Sequence, residues 1–341
     1  MKIIISLLPL LLSLTTLQAQ SLSETLKVIK NGTRFDRTIS LDTKNQTENL
    51  PISIIKGIKN GPVFTIIAGI HGYEYPPIIA VQELMQEIDP TKINGTVIIL
   101  PIANKASFYG RSPFINPIDG KNLNNSFPGS AQGTITNRIA DWITREVIPL
   151  SDVFLDIHGG DASEDLIPFV CYYDNKDENT ERARLLSEAS GMTNIVSYPY
   201  NITKTEPAKY AFKQAVQNGK TALSIEAGKL GNVQHENVKL IKDAVYNMLA
   251  HTKIYPSTIQ KNTKDKNYFK NQTYIKAPST GIFYSKIKSG DYISKDQMVG
   301  FLTDEFGNII QNIKSSTNGT VLYKIGTPPV NTGETLFCIG S

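Results

Sequence analysis

Basic blocks, long apolar runs, cysteine and histidine are all scarce in this chain of 341 residues. Its 35 basic and 31 acidic residues are scattered and leave a net charge of +4. No Lys/Arg block and no alternation of basic with aromatic residues occurs, so nothing in the sequence points to a nucleic-acid partner. After the amino-terminal segment, no stretch approaches the ~20 apolar residues of a membrane helix. The 2 cysteines, Cys171 and Cys338, lie in apolar runs far apart. Export would permit them to pair, but two buried free thiols are the expected state. Only 4 histidines are present, His71, His158, His235 and His251. Imidazole chemistry therefore has few places to be.

What is present begins with a targeting segment. Lys2 gives a short basic start, Ile3 to Leu14 a mostly apolar stretch, and Leu17 to Ala19 a small-residue end. This is too short for a membrane span and has the three-part layout of a secretory signal peptide. Cleavage is expected after Ala19, with Gln20 as the alternative; an uncleaved anchor is the competing reading. The mature protein is then expected to be secreted or periplasmic, with no membrane association beyond export. About 320 mature residues permit two domains. A hydrophobic content of 40% and a charged content of 19% are ordinary for globular protein.

The first domain is expected over residues 20–255. Residues 21 to about 60 read as a β segment with polar turns such as Lys30 to Gly32. From residue 62 the texture alternates strand with helix. Pro76 and Pro77 suit a first helical turn, and Ile78, Val81, Leu84 (or Met85) and Ile88 form its stripe. Thr96 to Ala103 reads as a strand. Ile135, Ile139, Trp142 (or Ile143) and Val147 mark a second helix, and Asn237 to Met248 a third. Such alternation predicts an α/β sheet covered on both faces. Across 256–272 the chain turns polar. A second unit, 270–341, is punctuated at Gly281, Gly290, Gly300, Gly307, Gly319 and Gly333 and reads as a small all-β domain.

Chemistry concentrates where apolar runs end. Pro62 to Ile70 leads into His71, Gly72, Tyr73 and Glu74, an imidazole and a carboxylate three residues apart. A catalytic zinc takes three protein ligands and keeps a fourth position for water, and a His-x-x-Glu turn can supply two of the three. His158 closes a second strand-like run from Asp152 and is again followed by glycine. Glycines there allow sharp turns and close backbone approach, and ligands of open α/β sheets bind at the carboxyl ends of parallel strands. His235 and His251 stand in polar or helical surroundings and are expected to be exposed. Glu226 ends a third apolar run from Thr221. A carboxylate buried there without a partner is costly, so Glu226 is the candidate base beside a metal-activated water. Asp156, on the same strand face as His158, can either steady a metal-site group or cap a neighbouring loop.

The ordered set His71, Glu74, His158 and Glu226 resembles the succinylglutamate desuccinylase/aspartoacylase family, a deacylase branch of the zinc carboxypeptidase superfamily. Asn104 to Ala106 followed by Arg111, and then Asp119 to Gly129, resemble the family segment between its second and third metal ligands. The resemblance runs from about residue 50 to the carboxyl terminus. It implies a mixed sheet flanked by helices, followed by a barrel-sandwich-like β domain. It implies one Zn2+ on His71, Glu74 and His158, with Glu226 as general base and then proton donor. Arg111 would polarise the scissile carbonyl and Asn124 would bind substrate. The carboxyl-terminal unit resembles biotinyl and lipoyl carriers, but its hairpin from Thr303 to Asn308 has no lysine to bear a cofactor; a site-shaping role is expected instead.

One position departs from the family. Where the family has an arginine that grips a substrate carboxylate, this chain has Asn125, which cannot form a bidentate fork. Either the substrate lacks a free carboxylate, or a cation such as Lys121 or Lys229 replaces the arginine. The leading expectation is a zinc-dependent hydrolase that cleaves an amide, or an ester, in a small N-acyl compound. Its rivals are a carboxypeptidase-like enzyme acting on peptides or peptidoglycan stems and a non-catalytic metal-bearing binding protein.

Overall fold

The computed structural model of the chain describes residues 21–175, 177–203, 205–256 and 265–341. The expected signal segment, 1–19, and residues 257–264 of the polar stretch lie outside them. The chain opens with α1 (Leu22–Val28), followed by β1 (Thr33–Asp42), β2 (Thr47–Lys56) and β3 (Lys59–Ala68). The helix is a departure from the β segment expected there. Ser21 accepts from the Glu24 amide while the Glu24 carboxylate accepts from the Ser21 amide, a reciprocal cap that satisfies two orphan donors and starts the helix. Strands then take over, as expected.

Next come α2 (Tyr75–Glu87), β4 (Asn94–Leu100), α3 (Lys105–Gly110), α4 (Ile135–Trp142), β5 (Val153–His158), β6 (Glu164–Leu166) and β7 (Phe169–Asp174). They are followed by α5 (Glu178–Ala189), β8 (Asn194–Pro199), α6 (Ala211–Gln217), β9 (Thr221–Glu226), α7 (His235–His251) and β10 (Asn267–Phe269). The second helical stripe is not one continuous α-helix: α4 passes into a π-helical turn at Ile143–Val147. Among the described residues, nine strands form one sheet in the order β1-β2-β4-β3-β5-β9-β7-β8-β10. The sheet is mixed. β4, β3, β5 and β9 run parallel, whereas β2 meets β4, and β7 meets β9, antiparallel.

Neighbouring side chains on a strand point to opposite faces, and both faces are covered. Ile67 and Phe154 pack on one side with Ile139, Ile143 and Phe212. Ile66 and Leu155 pack on the other with Val81, Leu84, Ile241 and Val245. Every residue of β5 is buried, which is why its sequence reads as a continuous apolar run. Each fully buried Ile, Leu or Phe contributes about 1.5–3 kcal/mol, so the strands that carry the site are held firmly.

The remaining strands are β11 (Gln272–Lys276), β12 (Gly281–Tyr284), β13 (Tyr292–Ile293), β14 (Met298–Thr303), β15 (Ile309–Lys314), β16 (Gly319–Ile325), β17 (Pro329–Val330) and β18 (Thr335–Gly340). They form two antiparallel sheets, β11-β18-β16-β13 and β15-β14-β12-β17, around Phe283, Leu302, Ile313 and Phe337. The short β6 reaches out of the first unit and pairs with β16, Leu166 opposite Tyr323. Cys171 and Cys338 are buried free thiols.

Candidate active site

Two chain segments converge at the carboxyl ends of β3 and β5. His71 stands just beyond β3 and Glu74 immediately before α2, so the turn between strand and helix carries both. Gly72 lets that turn close: a Cβ there would lie 2.2 Å from the backbone of Ser107 and Phe108. Gly159 serves His158 in the same way, since a Cβ would meet the Ala227 carbonyl oxygen at 2.4 Å. His71 Nδ1 lies 2.7 Å from Glu74 Oε1, and His158 Nδ1 lies 3.0 Å from Glu74 Oε2. One ligand atom from each residue falls within 4.8 Å of the others, and all three residues are buried.

The far nitrogen of each imidazole meets an oxygen. His71 Nε2 is 3.1 Å from Asn122 Oδ1, and His158 Nε2 is 3.1 Å from Asp156 Oδ1. The second of these is an ion contact, not a well-aligned hydrogen bond, since Asp156 Oδ1 has no hydrogen-bonded partner. With Nε2 of each ring against one of those oxygens, both Nδ1 atoms are directed at Glu74. Orienting partners of this kind typically set the tautomer of a metal-binding histidine. Asp156 has two jobs, because its Oδ2 also accepts from the Phe212 amide at 3.3 Å.

The electrostatics favour a cation. Burial opposes ionisation of Glu74, but the charges and hydrogen bonds of His71 and His158 outweigh it and lower the pKa to about 2. Burial also opposes the charge on His158, yet Asp156 and Glu74 hold its pKa well above the ordinary value. Asp161 and Glu164 are pushed up, first by burial and then by neighbouring carboxylates including Glu74. Glu226 faces His158 across the β5–β9 pair. Burial is the main cause that pushes it up to about 8, with help from Glu74 and Asp156 and against the pull of His158. Two nitrogens and one carboxylate oxygen, preoriented and crowded by further acid groups, fit a divalent metal ion.

Beside this group lies a cavity of about 440 Å3, lined by His158, Glu226, Asn124, Lys213, Gln272 and an aromatic set that includes Tyr173, Tyr210 and Tyr274. Gln272 and Tyr274 belong to β11, so the carboxyl-terminal unit helps to wall the cavity.

Comparison with known proteins agrees with this geometry. Residues 60–252 match the model of the succinylglutamate desuccinylase/aspartoacylase catalytic domain. The chain belongs to that family. It is 30% identical over 298 residues, 85% of each chain, to the N-alpha-acetyl-L-2,4-diaminobutyric acid deacetylase of Halomonas elongata. Two solved structures share the fold: a succinylglutamate desuccinylase/aspartoacylase from Rhodobacter sphaeroides and the product-bound ectoine utilization protein EutE from Ruegeria pomeroyi. The first superposes with a TM-score of 0.82 at 23% identity, covering 92% of this chain and 97% of its own. The second has a TM-score of 0.81 at 22% identity, with coverage of 92% and 97%.

Within this family member, the other residues singled out by sequence fall in different places. Asn124 lines the cavity with Oδ1 unpartnered. Arg111 ends α3 in a left-handed conformation (φ 49°) and is exposed. Its guanidinium makes no hydrogen bond or ion pair among the described residues, although its charge acts on the nearby Tyr75 phenol. Asn125 is exposed and does not line the cavity. His235 and His251 are exposed on α7, as expected. Asn122 is the residue that sequence reasoning missed. It sits in the same Asn-Leu-Asn-Asn run, two positions before Asn124, and nothing local marks it as the partner of His71. Replacing Asn122 with Leu is expected to weaken metal binding or activity about 10- to 100-fold. Chelator competition checks this, and a variant with wild-type affinity would remove Asn122 from the site.

Proposed function

We propose that this chain is a zinc-dependent deacylase of the exported compartment, secreted or periplasmic, that hydrolyses the amide bond of a small N-acyl compound. The observation that carries the reading is the position of Glu226. It lies opposite His158 across the β5–β9 pair, where the catalytic base would stand beside a metal held by His71, Glu74 and His158. A zinc ion bound there supplies a Lewis acid and lowers the pKa of water to about 7. Glu226 in its ionised form takes the proton of the attacking water. It then holds that proton and returns it to the departing amine. Asn124 offers its side-chain amide to the substrate, and Arg111 supplies the positive charge for the developing oxyanion.

The family relative from Halomonas elongata is named a deacetylase of an N-acetylated diamino acid, and we carry over an N-acetyl amino acid as the substrate class. An ester enters by the same first step. Long peptides suit the site less well, because β11 supplies part of the cavity wall. The test is a screen of the zinc-loaded protein on N-acetyl and N-succinyl amino acids, esters and peptides, repeated after chelation. Turnover of small amides that disappears with the metal and returns with zinc supports the reading. Activity on peptides alone, or none on any substrate, overturns it.

Metal binding carries its own pH dependence. In the ion-free protein at neutral pH, His158 is protonated, and Glu226, at about 8, is protonated as well. A cation held by His158 must displace its proton, and its charge also favours ionisation of the neighbouring Glu226, so affinity is expected to rise as pH increases from 6 to 8. The slope is about tenfold per pH unit for each proton released. Titration calorimetry in buffers of different ionisation enthalpy counts the protons. A dissociation constant that stays flat across that range would contradict the assignment.

A further inference from the structure

The loss of the family arginine at Asn125 leaves open what, if anything, reads an anionic group on the substrate. Neither lysine suggested by the sequence is available for it. Lys121 is exposed and donates to Asn137 Oδ1 at 2.7 Å. Lys229 is paired with Asp165 at 3.0 Å, and neither residue lines the cavity.

A different lysine does. Lys213 lies in α6, is half-buried, and lines the same cavity as His158 and Glu226. It makes no ion pair or hydrogen bond through its ammonium among the described residues. Its Nζ sits instead over two rings, 5.9 Å from the centroid of Tyr173 and 6.0 Å from that of Tyr210. Aromatic faces attract a cation and fix its place without neutralising its charge. The helix is also anchored to the metal group, because the Phe212 amide, one residue earlier, donates to the Asp156 carboxylate that contacts His158. The ammonium is thus held beside the reaction centre with its charge uncommitted. Burial and the neighbouring Lys209 lower its pKa, a cost that an anion in the cavity would reverse.

We propose that Lys213 is the specificity-determining residue that binds a carboxylate of the substrate, in place of the missing arginine. This rests on the deacylase reading above and narrows its substrates to N-acyl compounds that carry a carboxylate. A lysine ammonium is a point charge that accepts many approach angles, unlike the planar fork of arginine. Tolerance of varied carboxylate positions follows from that.

Three probes separate the sources of the anion: N-acetyl-L-alanine, with the carboxylate on the amine side; N-succinyl-L-alaninamide, with it on the acyl side; and N-acetyl-L-alaninamide, with none. Lys213→Met is expected to lower kcat/KM, mainly through KM, by on the order of 10- to 100-fold for one carboxylate probe. The neutral probe should change by less than about twofold, and Lys213→Arg should recover part of the loss. A loss confined to N-acetyl-L-alanine places the anion on the amine side; one confined to N-succinyl-L-alaninamide places it on the acyl side. Equal losses on all three probes, or no loss on either carboxylate, overturns the proposal. If the wild type turns over none of them, the deacylase reading fails separately. Calorimetric binding of the two carboxylate probes to wild type and Lys213→Met then decides the role of Lys213: weaker binding in the variant supports it, and equal binding or none to either protein overturns it.

Discussion

Glu226→Gln is expected to lower turnover by about 10²- to 10⁴-fold, the range for removal of a general acid–base group, while zinc stays near one per chain. The substitution keeps the shape of the side chain and removes only its capacity to carry a proton. Because the Glu226 pKa is pushed up to about 8 in the ion-free fold, the native protein holds this group neutral near pH 7. An amide there should leave the structure intact. A second measurement follows from the sign of the shift. A carboxyl whose folded pKa exceeds its unfolded value weakens the native state as pH rises from about 4.5 to 8. Without metal, the Gln variant should therefore gain stability over wild type across that window. Activity retained in the variant would end the base assignment, and parallel stability curves would end the buried-acid reading.

The second large effect is expected from His158→Ala. It removes one nitrogen donor and leaves Asp156, fully buried, without its imidazole contact. Glu74 loses a partner as well. Metal affinity should fall by more than the 10- to 100-fold that follows loss of an outer orienting group. The ion-free protein should lose about 3–5 kcal/mol, the usual cost of leaving a buried charge uncompensated. His71→Ala should resemble it in metal loss but cost less stability, because it takes one contact from Glu74 and one from the neutral Asn122, whereas His158→Ala takes a contact from each of two buried carboxylates, Glu74 and Asp156. Urea denaturation and metal analysis of the two variants make the comparison. Full metal content in either variant would remove that histidine from the ligand set.

Some of this site is legible residue by residue. His71, His158 and Glu226 each follow an apolar run, and the structure puts all three at or just past the ends of adjacent strands. Continuous apolar sequence marks a strand buried on both faces, and a polar residue at its end marks where the sheet opens. The start of α2 was legible for a similar local reason, since proline fixes the backbone angle of a first helical turn. The reciprocal Ser21–Glu24 cap is local too, but the polar turns that follow it carry the β signal of that segment.

Other features had no local signal. Asn122, Asn124 and Asn125 are near neighbours of one chemical type, and only their orientation in the fold divides them. Asn122 meets His71, Asn124 turns into the cavity, and Asn125 faces solvent. No local pattern separates Lys213 from Lys121 and Lys229, because whether a charge is paired depends on the residues around it. The β6–β16 pairing joins segments more than 150 residues apart in sequence, and β11 joins a cavity wall otherwise built from residues between Asn124 and Glu226.

The alternation of strands and helices, the turn-rich sheets at the end, and the residue types able to hold a metal and move a proton are written in the order of residues along the chain. These follow from backbone propensity and from the burial pattern along each element, which act over a few residues. Which oxygen steadies each imidazole, how far Glu226 is held from ionisation, and which lysine keeps its charge free emerge from the folded arrangement alone. Those properties depend on through-space desolvation and Coulombic contacts between distant segments, and no local pattern encodes them.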